Sequence, residues 1–169
     1  MATQTLPHEH AAIVPPRWLI VGFISGAVSV LIFHQGAFAL LHALALTPRA
    51  PYPMDATAPF GIPALWSLAF WGGVWGAILA ATLARLRGGA FIVGAAIFGA
   101  VLPTLVAWLV VAPLKGQPIA AGFDPLGMIV GPIVNAAWGL GAGIGLALFG
   151  DPHPARARGH ASFASSPRR

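Results

Sequence analysis

Three polar side chains interrupt the hydrophobic stretches of this chain, and their types make them the first candidates for chemistry. His34 and Gln35 lie near the middle of residues 18–46, a run without charge, and Asn135 lies in a later apolar stretch. If both stretches cross a membrane, the three groups fall at a similar depth, where a polar side chain marks a candidate site for a proton, an ion or a small ligand. The alternative is a hydrogen bond between helices, worth about 0.6–2 kcal/mol.

The spacing of the histidines does not favour a metal or haem site. His34 and His42 are eight residues apart, which separates them by about 12 Å along a helix axis. A haem with two histidine ligands would need a second span that carries histidine, or two copies of His34 at a dimer axis. We therefore expect no metal and no cofactor, with a haem or quinone binder as the weaker alternative.

Two acidic residues lie in proline-rich connections. Asp55 and Asp124 each precede an apolar stretch by a few residues, and we expect them to cap helix starts, because carboxylates favour helix N-termini. A shared cation site at the outer face is the alternative. The sequence shows no Ser/His/Asp set, no phosphate-binding loop and no paired carboxylates within an apolar stretch, so we predict no catalytic residues and no enzyme.

The elements that position these residues follow from the composition. The chain has 169 residues, of which 57% are hydrophobic and only 8% are charged, whereas soluble domains carry about 25% charged residues. Because about 20 apolar residues cross the hydrocarbon core as a helix, we predict an all-α membrane protein with a four-transmembrane-helix bundle in residues 18–150. The predicted spans are about 18–46, 63–84, 90–112 and 126–149, between an N-terminal tail (1–17) and a disordered basic tail (151–169).

The lysines and arginines predict the orientation of these spans. Cytoplasmic loops are enriched in both residue types. Seven of the nine lie on one side of the predicted membrane, and only Arg49 and Lys115 lie on the other. We expect both termini to be cytoplasmic. Because flanking residues account for the net charge of +5, we expect no nucleic-acid partner.

A weak internal repeat divides the predicted bundle into halves. Ile32-Phe33 recurs 65 residues later as Ile97-Phe98, and Trp71-Gly72 recurs 67 residues later as Trp138-Gly139. The repeat predicts two tandem hairpins, made of spans 1–2 and spans 3–4. Copies with the same orientation would be related by a pseudo-two-fold axis along the membrane normal.

Small residues recur at intervals of four in the second and fourth spans. Such spacing lets helix backbones approach closely within lipid. We expect a central contact between spans 2 and 4, and the alternative is that the glycines line a pore or a substrate path. The glycines of the two ridges are Gly72 and Gly76 in span 2, and Gly127, Gly131, Gly139 and Gly143 in span 4.

The six tryptophans divide into two groups by predicted depth. Three of them fall near predicted membrane interfaces, where tryptophan commonly anchors a span. The other three lie deeper, and we expect them to fill gaps beside the glycines. The first group is Trp18, Trp66 and Trp108, and the second is Trp71, Trp75 and Trp138.

Short segments of the chain resemble those of a protein group. With Phe33-His34-Gln35-Gly36, Pro59-Phe60-Gly61 and residues 69–73 (AFWGG), the chain resembles small four-span inner-membrane proteins of proteobacteria over about residues 18–150. This resemblance implies a multi-pass protein of the bacterial inner membrane. It brings no activity and no site residues.

The functional expectation is a non-enzymatic structural or accessory subunit that acts through helix–helix association. Its partners would be the lipid bilayer and either a second copy or a larger membrane complex. The alternative is a small channel or transporter that uses His34, Gln35 and Asn135. Against an ordinary proton-coupled transporter, the predicted spans contain no Asp, Glu, Lys or Arg.

Overall fold

The computed structural model describes residues 15–150. Four of its helices are long and apolar enough to cross a membrane, which confirms the predicted number of spans. They are α1 (Pro16–Ala43), α2 (Ala64–Leu83), α3 (Gly88–Leu114) and α4 (Pro125–Phe149). Their ends differ from the predicted ends by no more than three residues. Residues 1–14 of the predicted N-terminal tail and the predicted basic tail lie outside the described residues.

Two of the helices contain irregular turns. α1 passes through a π-helical stretch at Val30–His34, and α3 contains Pro103 and then a π-helical stretch at Ala107–Val111. A π-helical turn changes which carbonyl each N–H group meets and is common at functional sites. The connection between α1 and α2 carries two short antiparallel strands, β1 (Ala56–Thr57) and β2 (Ile62–Pro63).

Glycines bring the backbones of α1 and α2 into direct contact. Gly22 lies against Gly76, and Gly26 lies between Gly72 and Gly76. A Cβ atom built on Gly26 would lie 2.9 Å from the Cα atom of Gly76, closer than real side chains approach. No larger residue fits at this crossing without moving the helices apart.

A second close crossing joins α3 and α4. Ala95 and Gly99 of α3 pack on Gly139 of α4, and a Cβ atom built on Gly99 would lie 3.0 Å from the Gly139 Cα atom. One turn along, a Cβ atom on Gly143 would lie 2.7 Å from the Ala95 Cβ atom. Consecutive spans therefore pack in pairs, α1 with α2 and α3 with α4.

The two pairs meet mainly through α1 and α4. Gly141 and Gly145 of α4 face Ser25, Ser29 and Phe33 of α1. A Cβ atom built on Gly145 would lie 2.7 Å from the Ser25 hydroxyl oxygen. This second glycine ridge of α4 is absent from the sequence-based prediction.

The predicted central contact between spans 2 and 4 is wrong. The α2 ridge packs on α1, and the Gly139–Gly143 part of the α4 ridge packs on α3. Near the N-terminus of α4, Gly127 approaches Ala121 and Gly131 approaches Trp108. Spacing by four residues identifies a face suited to close packing, but α4 has glycines on two faces, and spacing alone does not identify the neighbour of each.

The tryptophans also divide differently from the prediction. Trp18 is buried and donates from Nε1 to the Ala80 carbonyl oxygen at 2.7 Å, so it joins α1 to α2 rather than anchoring at the surface. Trp71 is exposed on the outside of α2 instead of filling a gap. Trp75 does fill space between helices, since it meets Phe98 of α3 edge to face with ring centroids 6.0 Å apart.

α2 begins well short of the level at which α1 ends. Counted from the crossing of Gly26 with Gly72, eight residues lead forward to His34 in α1 and eight lead back to Ala64, where α2 begins. α1 then continues through Gln35–Ala43, which is about 13 Å at 1.5 Å per residue. The connection between the helices therefore returns alongside the C-terminal part of α1.

Substitution of Gly26 by alanine is expected to lower the free energy of unfolding by about 1–3 kcal/mol, since the added methyl group overpacks the α1–α2 crossing. Gly36→Ala is the matched control, because a Cβ atom there meets nothing within 4 Å and alanine is the better helix former. Unfolding in mixed micelles with increasing dodecyl sulfate measures both. Equal destabilisation by the two variants would contradict the proposed packing.

Candidate functional site

The side chain of Gln35 holds the connection between α1 and α2 against α1. It is only 2% exposed, and its Oε1 atom accepts a hydrogen bond from the Tyr52 backbone N–H at 2.7 Å. The Tyr52 hydroxyl donates in turn to the Leu31 carbonyl oxygen at 3.2 Å. One tyrosine therefore makes two hydrogen bonds to α1, one from its backbone and one from its ring.

The π-helical turn of α1 explains why Leu31 receives this bond. The N–H group of Gln35 points to the carbonyl oxygens of Val30 and Ile32. In a regular α-helix it would donate to Leu31, four residues back. The π-helical turn thus leaves the Leu31 carbonyl oxygen without the Gln35 N–H group, and it accepts from the Tyr52 hydroxyl instead.

His34 lies beside this contact in sequence. Its ring stacks on the ring of Phe38, with centroids 6.2 Å apart and an interplanar angle of 22°. Its Nδ1 atom is buried and has no hydrogen-bond partner within residues 15–150. A buried polar atom without a partner is unusual, so His34 stays a candidate functional residue.

Asn135 is bonded elsewhere. Its Nδ2 atom donates to the Thr104 hydroxyl at 2.9 Å, which ties α4 to α3. Between residues 15 and 150, no hydrogen bond joins Asn135 to His34 or Gln35. The three residues of the predicted midplane site are therefore not brought together: Asn135 bonds α3, Gln35 bonds the α1–α2 connection, and the Nδ1 atom of His34 has no hydrogen-bond partner among the described residues.

Trp138 links the two helix pairs. Its indole Nε1 donates to the Gly26 carbonyl oxygen at 2.9 Å, and its own carbonyl oxygen accepts from the Ser29 hydroxyl at 2.6 Å. The indole also lies beside Gly72, so it reaches the α1–α2 crossing from α4. As predicted, this tryptophan fills a gap beside glycines.

The two loop carboxylates have different positions. The Asp124 Oδ2 atom accepts from the Gly127 N–H at 2.7 Å and caps the start of α4, as the sequence predicts. At the start of α2 it is the Asp55 carbonyl oxygen, and not its carboxylate, that accepts from the Ala64 N–H. The described part of the chain contains no group of three or more metal-ligating side chains, so the alternative of a shared cation site gains no support.

An apolar groove of about 220 Å³ runs between α1 and α4 on the outside of the protein. Gly141 and Gly145 form part of it on the α4 side, and Ser25 and Ser29 line it on the α1 side. Ile24, Val28, Phe33, Ile144, Leu148 and Phe149 complete the lining. Its surface matches hydrocarbon chains better than a charged solute.

Sequence reasoning missed three of the residues that matter in these contacts. Tyr52 is the only tyrosine of the chain, and it lies between two prolines in the connection between α1 and α2. Thr104 follows the proline of α3, and Ser29 precedes the π-helical turn of α1. Small hydroxyl residues within an apolar run and a single tyrosine in a loop are the signals that mark them.

These features define a class, a helical multi-pass integral membrane protein with four spans. Comparison with protein-family models, curated proteins and solved structures finds no match. The function must therefore be argued from the contacts themselves.

A double-mutant cycle tests the bond between Asn135 and Thr104. Asn135→Leu and Thr104→Val are expected to show a coupling free energy of about 0.6–1.7 kcal/mol, the range for interhelical hydrogen bonds in membranes. Unfolding of the purified variants in bicelles provides the measurement. Thr82→Val is the control partner, because the Thr82 hydroxyl bonds only its own helix at the Ile78 and Leu79 carbonyls. Additive effects of Asn135→Leu and Thr104→Val would show that the bond is not formed.

Proposed function

We propose that the protein is a non-enzymatic structural or accessory subunit of a bacterial inner membrane, which acts through helix–helix association with a second copy or a larger membrane complex. The observation that carries this proposal is the use of polar side chains within the spans. Gln35, Asn135 and Trp138 each bond another part of the same chain. These groups hold the fold together and are not collected around a shared solute site.

The outer half of α2 supports association with a partner. Trp66, Phe70 and Trp71 are all more than half exposed and lie within two turns of the helix. Phe70 meets Trp71 edge to face, with ring centroids 5.6 Å apart. Aromatic rings give large contact areas with little loss of conformational freedom. This aromatic face, defined by these three residues, is the surface that we assign to partner binding.

The proposed orientation places both termini and the α2–α3 turn in the cytoplasm. It rests on the excess of arginine and lysine on that side, as the positive-inside rule requires. The connections that contain Met54 and Gly122 then face outward.

The proposed duplication is supported by the similar packing of the two helix pairs. Gly76 packs on the Gly22 carbonyl and the Gly26 Cα atom in the first pair. Gly139 packs on the Ala95 carbonyl and the Gly99 Cα atom in the second. These equivalent positions are 73 residues apart in α1 and α3 and 63 residues apart in α2 and α4, so the packing does not follow the offsets of 65 and 67 of the sequence repeat. A pseudo-two-fold along the membrane normal would relate such pairs.

Removal of one ring from the aromatic face tests the association. Trp71→Ala is expected to reduce the recovery of oligomer or copurifying partner several-fold after gentle extraction into nanodiscs, because most binding energy resides in a few aromatic anchors. Ile97→Ala is the matched control on α3, since Ile97 is 59% exposed and Trp71 is 57% exposed. Mass photometry of the nanodiscs and identification of copurifying proteins give the readout.

The channel alternative predicts a different result. If the wild-type protein conducts protons or potassium ions in liposomes, and if folded His34→Ala and Asn135→Leu variants lose that flux, the accessory role is wrong. Equal permeability of liposomes with and without the protein agrees with the accessory role.

The orientation can be tested with single cysteines, because the natural chain has none. We expect Met54→Cys to react with a membrane-impermeant maleimide on intact cells, and Gly89→Cys to react only after permeabilisation. Both positions are exposed, so a difference reports sidedness. Reaction of Gly89→Cys alone on intact cells would reverse the assigned orientation.

A further inference from the structure

The surface of α1 that Tyr52 contacts has the composition of a small binding site. It presents two acceptors, the amide oxygen of Gln35 and the carbonyl oxygen of Leu31, and both are supplied with donors by one residue. Gln35 is buried, and the π-helical turn directs the Leu31 carbonyl to the ring hydroxyl. We call Gln35 and the Leu31 carbonyl the acceptor notch.

The segment that occupies the acceptor notch is held less tightly than the helices. Tyr52 has a φ of +53°, a left-handed conformation that is unfavourable for a non-glycine residue. The residue is 46% exposed, and its ring hydrogen bond of 3.2 Å is longer than is usual for an O–H···O bond. The strain and the exposure favour release of this residue over release of any helix.

We propose that Tyr52 is an intramolecular plug, and that the acceptor notch binds an aromatic molecule with a hydroxyl donor when the plug leaves. The ligand class follows from the hydrogen-bonding groups of the acceptor notch. The Leu31 carbonyl requires a donor and its present partner is a phenol, whereas the Gln35 oxygen meets a backbone N–H group. A quinol or another membrane-soluble phenol carries this group, whereas a quinone offers only acceptors.

The position of the notch gives such a molecule access. α2 begins at the level of His34, so the outer part of α1 is covered on this side by the connection that contains Tyr52 and not by a helix. Tyr52 is 46% exposed at the surface of the protein. A phenol dissolved in the leaflet on this side of the membrane therefore reaches the notch by displacing a loop residue. This binding is independent of the accessory role.

Tyr52 is the only tyrosine, so 3-fluorotyrosine gives the wild-type chain a single ¹⁹F resonance. The probe is p-cresol, which is the tyrosine side chain with its Cβ atom as a methyl group. Its addition is expected to move this resonance saturably toward the position of free fluorotyrosine. Toluene is the matched probe without the hydroxyl group and is expected to leave the resonance in place. Equal responses to the two probes, or no response to either, would overturn the proposal.

A variant without the plug gives a second readout. Tyr52→Ala in nanodiscs is expected to gain thermal stability with p-cresol and to gain at least several-fold less with toluene, because only p-cresol restores the bond to Leu31. Met54→Ala is the control, since Met54 lies in the same connection and is exposed. If p-cresol stabilises Tyr52→Ala no more than it stabilises Met54→Ala, the notch does not bind phenols.

Discussion

Direct contact between helix backbones is the constraint on which this structure depends. Water does not drive apolar helices together within lipid, so association relies on close packing and on hydrogen bonds between helices. The crossings of Gly26 with Gly72 and of Gly99 with Gly139 supply the close packing. Between them, the glycines that α4 presents to α1 join the two pairs at a similarly short distance. Side chains larger than hydrogen at these positions would separate the helices and the polar groups that bridge them.

The polar groups in turn depend on that short distance. The Trp138 indole reaches the Gly26 carbonyl, and the Ser29 hydroxyl reaches the Trp138 carbonyl, only because glycines leave space between α1 and α4. In hydrocarbon an unpaired polar group is costly, so each such bond fixes the relative position of two helices. His34 Nδ1 is the exception among the described residues, which makes it the polar atom least explained by the fold.

The extent of each helix was predictable, and the pairing of the helices was not. Long apolar runs separated by proline-rich or arginine-rich connections fix the number of spans, because lipid leaves the backbone few alternatives to a helix. The partner of a glycine ridge depends on how far the helix is rotated about its axis, and α4 presents Gly139 and Gly141 to different neighbours. The cap formed by Asp124 was predictable because it is local. The bonds from Asn135 to Thr104 and from Tyr52 to Gln35 were not, because they join residues distant in sequence.

The unequal lengths of α1 and α2 have a consequence for the surrounding bilayer. α1 has 28 residues and α2 has 20, which correspond to about 42 Å and about 30 Å of helix. The apolar surface that faces lipid is therefore shorter beside α2 than beside α1. A difference between the length of a span and the thickness of the hydrocarbon core costs a fraction of a kcal/mol per Å. About 30 Å matches the hydrocarbon core, so α2 fits the bilayer without deforming it, whereas α1 exceeds the core by about 12 Å. The adjustment therefore falls on the α1 flank, where the helix must tilt or the bilayer must thicken locally.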